Sequence, residues 1–197
     1  MRNPFAPGAW RYALPVVALA ALLRRRFPRG WLAGLALAGA VLGFHRDPSR
    51  DPPAEGVLAP ADGRVSVIRT EGDRVRVGIF MNLHDVHVNR APVGGVVESV
   101  THSPGGHWPA FTKASDRNER LAVDFGEYEV TLVAGAVARR IHPYVEPGDE
   151  LDRGDRIGHI SFGSRVDVLF PPETDPADLA VAPGDRVTAG ETVLAAA

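Results

Sequence analysis

Residues 156–170 read RIGHISFGSRVDVLF, and this stretch decides how the chain is built. Apolar residues flank a central Gly-Ser pair, which predicts two short β-strands at 156–162 and 165–170. A glycine inside a strand pattern marks a bulge or a close backbone approach. Gly163 leaves its own carbonyl sterically open, so the hydroxyl of Ser164 can attack that carbonyl once a base removes its proton. The stretch therefore predicts either a bulge with a solvent-facing serine or a serine that cuts its own chain.

Short β-branched runs between Gly, Asp and Pro residues continue along most of the chain. They predict further strands at 63–68, 74–81, 95–100, 121–125 and 129–134. Beyond the N-terminal segment, helical periodicity is confined to 175–180. These patterns predict a mainly β (α+β) fold, with a compact β-sandwich-like domain of short strands and an N-terminal apolar helical membrane anchor.

The composition restricts the chemistry. The chain has 197 residues, of which 45% are apolar, and it has no cysteine. Disulfides, thiolate metal sites and cysteine nucleophiles are therefore excluded. Residues 1–44 carry six arginines and no acid, whereas the remainder carries 16 basic and 24 acidic side chains. A basic apolar segment on an acidic domain favours a membrane surface as partner and argues against nucleic acid.

The N-terminal segment contains two apolar runs, 13–23 and 31–44. Each is shorter than the roughly 20 residues that a membrane-spanning helix needs. Residues 1–45 are therefore predicted to form a peripheral or monotopic anchor on the cytoplasmic face of the cell membrane, with arginines reaching lipid phosphates. A proline-rich linker at 48–53 follows, so the second domain is predicted to span 46–197.

Three residue types needed for nucleophilic catalysis occur in separate segments. His84 and His87 have an H-x-x-H spacing, which suits either a pair of acid/base groups or metal ligands. Asp62 lies in a Pro-Ala-Asp-Gly turn. An aspartate that orients a histidine, and a histidine that deprotonates a serine, together turn a weak hydroxyl into a nucleophile. Asp62, His87 or His84, and Ser164 are therefore candidate catalytic residues.

Two alternatives remain open from the residues alone. The first is a zinc metallopeptidase of β-sandwich type, in which the ligands are drawn from His84, His87, His102, His107 and Asp62.

The second alternative is a carrier domain. A Pro-Gly-Asp turn, a short strand and a glycine turn occur at 145–154 and again at 181–190. This repetition is typical of biotinyl and lipoyl carrier domains, which need a lysine on an exposed hairpin. The single lysine of the chain is Lys113.

Six blocks of sequence carry a more specific signal, and they occur at 44–48, 60–63, 79–92, 118–120, 134–141 and 162–167. Together, and in this order, they resemble the short bacterial and archaeal form of phosphatidylserine decarboxylase. The resemblance implies a proenzyme that cleaves itself between Gly163 and Ser164. The products would be a β chain, 1–163, and an α chain, 164–197, which stay associated as a heterodimer of undetermined higher oligomeric state. Ser164 would become a covalent pyruvoyl cofactor, and no metal would be required.

The resemblance also implies the reaction and the roles of individual residues. Phosphatidylserine would form a Schiff base with the pyruvoyl group and lose carbon dioxide to give phosphatidylethanolamine, a step of phospholipid biosynthesis. Asp62 and His87 match the pair that activates the serine for self-cleavage, and His84 matches the histidine that assists decarboxylation. Arg139 or Arg140 would bind the lipid phosphate or carboxylate, and only one of these neighbours on a strand can face the pocket.

Overall fold

The computed structural model describes residues 4–27, 29–106, 108, 117–135, 140–161 and 164–196. The chain forms two compact units, Met1–Ser49 and Arg50–Ala197. The predicted domain limits, 1–45 and 46–197, stay a prediction, as does the division into chains ending and beginning at the Gly163-Ser164 bond.

The first unit is a pair of helices, α1 (Ala9–Leu23) and α2 (Gly30–Phe44), that pack against each other. Their close approach depends on small residues, because a Cβ atom at Gly34 would overlap that of Ala20. Many side chains outside this seam are apolar and exposed, among them Trp10, Leu14, Leu19, Leu22, Phe27, Trp31, Leu32 and Leu37. Among the helices that the structure describes, none has both the length and the apolar character needed to cross a membrane.

The second unit consists of short strands. In chain order they are Val57–Leu58 (β1), Gly63–Glu71 (β2), Arg74–Met81 (β3), Val88–Arg90 (β4), Gly95–Val96 (β5), Ser99–Ser103 (β6), Arg120–Asp124 (β7), Glu129–Ala134 (β8), Ile141–Pro143 (β9), Glu150–Leu151 (β10), Arg156–Ile160 (β11), Ser164–Leu169 (β12), Arg186–Val187 (β13) and Val193–Ala195 (β14). The 3-10 turn Pro176–Asp178 lies between β12 and β13. The prediction of a mainly β fold is confirmed.

Antiparallel pairing joins these strands into four sheets within the described ranges. The largest has seven strands in the order β13-β2-β3-β12-β8-β7-β6, and a second has the order β4-β11-β9. Two ladders of two strands, β1-β14 and β10-β5, complete the unit. Strand β12 therefore lies at the centre of the largest sheet, between β3 and β8.

One face of β12 belongs to the hydrophobic core. Val166 and Val168 are fully buried and belong to the hydrophobic core, together with Ile79 of β3 and Leu132 of β8. Alternate residues of a strand point to opposite faces, so Ser164 lies on the core side of the sheet. The first residue of the central strand is thus a serine at the edge of the core.

Candidate active site

Ser164 is the first residue of β12 and is fully buried. It pairs with Met81 of β3 on one side and with Ala134 of β8 on the other. Its Oγ atom lies 3.3 Å from the Met81 sulfur, and a thioether is a weak hydrogen-bond acceptor. In the described chain this hydroxyl has no other hydrogen-bond partner. The serine is thus rigidly placed, not solvent-facing, and not engaged in a strong hydrogen bond; Gly163 lies outside the described residues.

His87 lies just before β4 and is also buried. Its Nδ1 atom is 2.9 Å from the carbonyl oxygen of Asp85. A carbonyl only accepts hydrogen bonds, so Nδ1 carries the proton in the neutral ring and Nε2 carries the lone pair. The His87 carbonyl accepts a hydrogen bond from the backbone N–H of Ile160 at 3.2 Å, which joins it to the strand that leads toward Ser164. The geometry suits His87 to act as a base through Nε2.

Asp85 fixes the loop that carries both histidines. Its Oδ2 atom accepts a hydrogen bond from the backbone N–H of Asn82 at 2.7 Å, and the Asp85 N–H donates to the Asn82 carbonyl at 3.0 Å. Its Oδ1 atom accepts one from Arg186 at 3.2 Å. Asp85 is almost completely buried, so these bonds hold the loop in one conformation. The sequence prediction did not include Asp85, although its spacing from Asn82 is typical of a side-chain-closed turn.

His84 occupies a different environment from His87. Its side chain is 70% exposed, and its Nε2 atom lies 3.6 Å from Asp85 Oδ1. The loop therefore carries one buried and one exposed histidine. The assignment of His84 to decarboxylation stays a prediction.

Asp62 lies in the turn before β2, at the same end of the sheet as Ser164. Arg50 Nη2 donates to both carboxylate oxygens at 2.9 Å, and the backbone N–H of Ala189 donates to Oδ1 at 2.9 Å. The following residue, Gly63, is pressed against the end of β3, since a Cβ atom there would overlap the Phe80 carbonyl. Within the described ranges, no hydrogen bond joins Asp62 to His87 or to Ser164. Its role in activating the serine stays a prediction.

The Asp62–Arg50 pair leads to a stability prediction. The Asp62 and Arg50 side chains are only 16% and 10% exposed. Removing one partner of a buried ion pair leaves the other charge buried and unpaired. Asp62→Ala is therefore expected to lower the free energy of unfolding by about 3 kcal/mol, measured by urea denaturation. The double variant Asp62→Leu/Arg50→Leu should lose less, because neither charge is left unpaired.

The same variant tests the catalytic assignment of Asp62. If folded Asp62→Ala protein self-cleaves at the wild-type rate, the activating role is excluded. If the unfolding free energy does not change, the structural role of the pair is excluded.

Of the two predicted lipid-binding arginines, the structure describes Arg140. Arg140 is exposed, and its carbonyl accepts a hydrogen bond from the Ser161 N–H at 3.3 Å. Arg139 lies outside the described residues. The choice between them as a ligand for phosphate stays a prediction.

Asn118 belongs to the sequence block 118–120, and the structure gives it a positioning role. It is buried, and its Nδ2 atom donates to the carbonyls of Ala134 and Trp108 at 2.6 Å. Its Oδ1 atom accepts from the Trp108 N–H at 2.8 Å. Asn118 thereby fixes the end of β8 beside Ser164.

The candidate zinc ligands and the candidate carrier lysine are described only in part. His102 lies on the edge strand β6, with Nε2 3.0 Å from a carboxylate oxygen of Glu119. In the part of the chain that the structure describes, no three His, Asp or Glu side chains are grouped to hold a metal ion. His107 and Lys113 lie outside the described residues.

Comparison with known proteins identifies the family. The family model for phosphatidylserine decarboxylase matches residues 37–195. The chain belongs to the phosphatidylserine decarboxylase family. It is 61% identical to a putative archaetidylserine decarboxylase proenzyme of Halobacterium salinarum over 192 residues, which cover 96% of this chain and 97% of that protein. It is 47% identical to the phosphatidylserine decarboxylase proenzyme of Streptomyces griseus over 198 residues, covering 95% and 91% of the two chains.

A third relative within the phosphatidylserine decarboxylase family is a putative archaetidylserine decarboxylase proenzyme of Methanococcoides burtonii. It is 48% identical over 167 residues, covering 82% of this chain and 77% of that protein. The predicted decarboxylase activity and membership of the phosphatidylserine decarboxylase family are confirmed. Neither the zinc metallopeptidase nor the carrier domain is supported by these comparisons.

The opposite face of the central sheet in this decarboxylase carries paired charges. A cavity of about 390 Å³ there is lined by Arg76, Arg165 and Asp167 among others. Burial raises the pKa of Asp167, and the Arg165 guanidinium opposes this through two hydrogen bonds of 2.7 and 2.9 Å. Ser164 and Arg165 are neighbours on one strand and so face opposite sides. The sheet therefore separates this cavity from the serine.

Proposed function

We propose that this chain decarboxylates a phospholipid with a serine headgroup, and that it does so after cutting itself between Gly163 and Ser164. The relatives are named for archaetidylserine or phosphatidylserine, and both names specify serine. The observation that carries the proposal is the position of Ser164. It is a buried serine at the start of the central strand, and among the described residues its hydroxyl contacts a sulfur atom as its one hydrogen-bond partner.

The proposed self-cleavage requires a nucleophile, a base and the peptide bond between Gly163 and Ser164. Ser164 Oγ forms a bond to the Gly163 carbonyl carbon, and its proton passes to His87 Nε2. The carbon–nitrogen bond between Gly163 and Ser164 then breaks, and the proton is delivered to the departing nitrogen. The product is an ester to Ser164 Oγ with a free amine on the same residue.

The fold supports continued association of the two chains after cleavage. The α chain would contribute β12, β13 and β14, and the β chain would contribute their partners. Strand β12 pairs along its whole length with β3 and β8, while β13 pairs with β2 and β14 with β1. Separation would expose these ladders and the core behind them, so the two chains are expected to remain one folded heterodimer.

The surroundings of residue 164 fit a covalent pyruvoyl group made from the serine. Loss of the Cα proton of residue 164 to a base, with departure of the Gly163 carboxylate, would leave dehydroalanine; reaction with one water would then release ammonia and leave a ketone. The strand ladder fixes this residue, and within the described part of the chain the buried hydroxyl makes no strong hydrogen bond. When formed, the ketone supplies an electrophile for a primary amine and an acceptor for the electrons released with carbon dioxide.

The first unit supports attachment to the cytoplasmic face of the cell membrane as a monotopic anchor. Its exposed leucine and tryptophan side chains would lie in the apolar layer, and Arg24, Arg25, Arg26 and Arg29 would bind lipid phosphates. Each helix of 15 residues is about 22 Å long, which is shorter than the hydrocarbon core. In the second unit, Leu83 is 61% exposed and Trp108 is 57% exposed, and both follow strand segments at the Ser164 end of the sheet.

The experiment that tests this function offers the purified protein two lipids in vesicles, phosphatidylserine and archaetidylserine, and a soluble glycerophosphoserine. Release of carbon dioxide and formation of the amine product are measured. Turnover of at least one lipid is expected, and the ratio of the two rates identifies the preferred lipid class. Absence of turnover with both lipids by fully cleaved protein would contradict the proposal.

Membrane attachment has its own test by co-sedimentation with anionic vesicles. Leu19→Glu/Leu22→Glu places charges at two exposed positions of α1, which are 56% and 77% exposed, and is expected to release the protein from the vesicles. Val96→Glu is the matched control, because Val96 is an exposed apolar residue of the second unit. Unchanged sedimentation of the double variant would exclude the anchor.

A further inference from the structure

Asn89 is a buried polar residue near Ser164, and the proposed function gives Asn89 no role. It lies in the middle of β4, opposite Gly158 of β11, and is fully buried. Its Nδ2 atom lies 3.7 Å from the sulfur of Met81. This is the same sulfur that the Ser164 hydroxyl contacts. Asn89 and Ser164 are therefore joined through one shared atom.

The carboxamide of Asn89 is poorly satisfied in the folded chain. Its Oδ1 atom has no hydrogen-bond partner among the described residues. Its Nδ2 atom carries two hydrogens to donate, and its one hydrogen-bond contact with another described residue is to a weak acceptor. Buried polar groups are nearly always hydrogen-bonded, so an unpaired one needs a specific explanation. Packing does not provide it, because an apolar side chain of the same size would fill the position at lower cost.

We propose that Asn89 is a further residue of the self-cleavage site, and that its Nδ2–H group stabilises the negatively charged oxygen formed when Ser164 attacks. The inference rests on the proposed self-cleavage. When Ser164 Oγ bonds to the carbonyl carbon of the preceding residue, the oxygen of that carbonyl becomes an oxyanion. A side-chain amide that is already desolvated and held by a weak acceptor can donate to this oxygen with little reorganisation. The sulfur of Met81 holds the donor until the charge develops.

Three variants of the full-length chain test this role, each made as the proenzyme and followed by denaturing electrophoresis over time. Asn89→Leu removes the donor and fills the same space. We expect it to self-cleave about 100-fold more slowly than the wild type, with a Tm equal to or above that of the wild type. Val88→Ala, on the same strand, is the matched control for packing. It should lower the Tm and leave the cleavage rate of the folded protein close to that of the wild type.

Asn89→Asp provides a readout that a structural role would not change. An ionised carboxylate cannot donate a hydrogen bond, whereas a protonated one can. The ratio of its cleavage rate to that of the wild type should therefore rise as the pH falls from about 8 to about 5. This comparison decides the matter if Asn89→Leu does not fold.

The outcomes separate this inference from the function on which it depends. If the wild type is cleaved and Asn89→Leu is cleaved equally fast, Asn89 is not part of the site. Parallel losses of Tm and cleavage in Asn89→Leu, or a ratio for Asn89→Asp that does not change with pH, would assign it a structural role and overturn the inference. If the wild type itself is never cleaved, the proposed function fails instead.

Discussion

Ser164→Ala is expected to yield a single chain of 197 residues without decarboxylase activity. The variant lacks the hydroxyl that breaks the preceding bond and also the atoms from which the ketone is made. Removing a covalent nucleophile costs about 10⁶-fold in rate, so activity should fall to the background of the assay. The substitution removes the contact of the hydroxyl with the Met81 sulfur, which is a weak hydrogen bond, so the fold should be retained. Denaturing electrophoresis and a lipid decarboxylation assay on the same sample measure both effects.

Ser161→Ala is the matched control for this variant. Ser161 lies three residues earlier, and its backbone N–H bonds to the Arg140 carbonyl. It should be cleaved and active like the wild type. Cleavage of Ser164→Ala at the same position would show that another group attacks the chain.

His87→Asn is expected to slow self-cleavage by about 10³-fold, because general base catalysis contributes on this order. The asparagine side chain places an N–H donor near the position of Nδ1, so the hydrogen bond to the Asp85 carbonyl can be kept. It has no nitrogen with a lone pair at the position of Nε2. The loop conformation is thus preserved while the base is removed. The rate is measured from the decay of the full-length chain by intact mass.

His84→Asn is the matched variant on the same loop. Because the His84 side chain is 70% exposed, whereas His87 and Ser164 are both buried, this variant should self-cleave at the wild-type rate. If it also loses decarboxylation, the two histidines have separate tasks, as the resemblance implies. A slow cleavage of His84→Asn together with a normal rate for His87→Asn would reverse the assignment.

Most of the central sheet could be predicted from the sequence. Strands β3 and β8 begin and end where the β-branched runs 74–81 and 129–134 do, because each run is bounded by turn residues on both sides. The run 95–100 forms two separate short strands, Gly95–Val96 and Ser99–Ser103, which pair with different partners. The helical signal at 175–180 is a 3-10 turn capped by Asp175.

Strand β4 shows why other elements could not be predicted. It contains a valine, an asparagine and an arginine, and all three are buried. It therefore lacks the alternation of apolar and polar residues by which a strand is recognised. Its pairing with β11 is a tertiary contact, which overrides local preference.

The reactive groups of the candidate site could be predicted from the sequence, but the residues that hold them in place could not. A glycine-serine pair in a strand pattern and an H-x-x-H segment are visible in the sequence, and the structure places Ser164 and His87 in buried positions. The partners of Asp62 were not predictable, because Arg50 lies in a stretch whose prolines indicate a linker and Ala189 is far away in sequence. Such pairings depend on how turns meet at one end of a sheet, and spacing along the chain does not encode that.

The central claim is that the mature enzyme has a ketone at a new chain end in place of Ser164. Intact mass measurement of active wild-type protein, before and after borohydride reduction, tests it most directly. The account predicts two fragments, 1–163 and 164–197, with the smaller one lighter by one ammonia than a serine-initiated peptide and heavier by two hydrogens after reduction. A fully active preparation that consists of one uninterrupted chain, unchanged by borohydride, would contradict it.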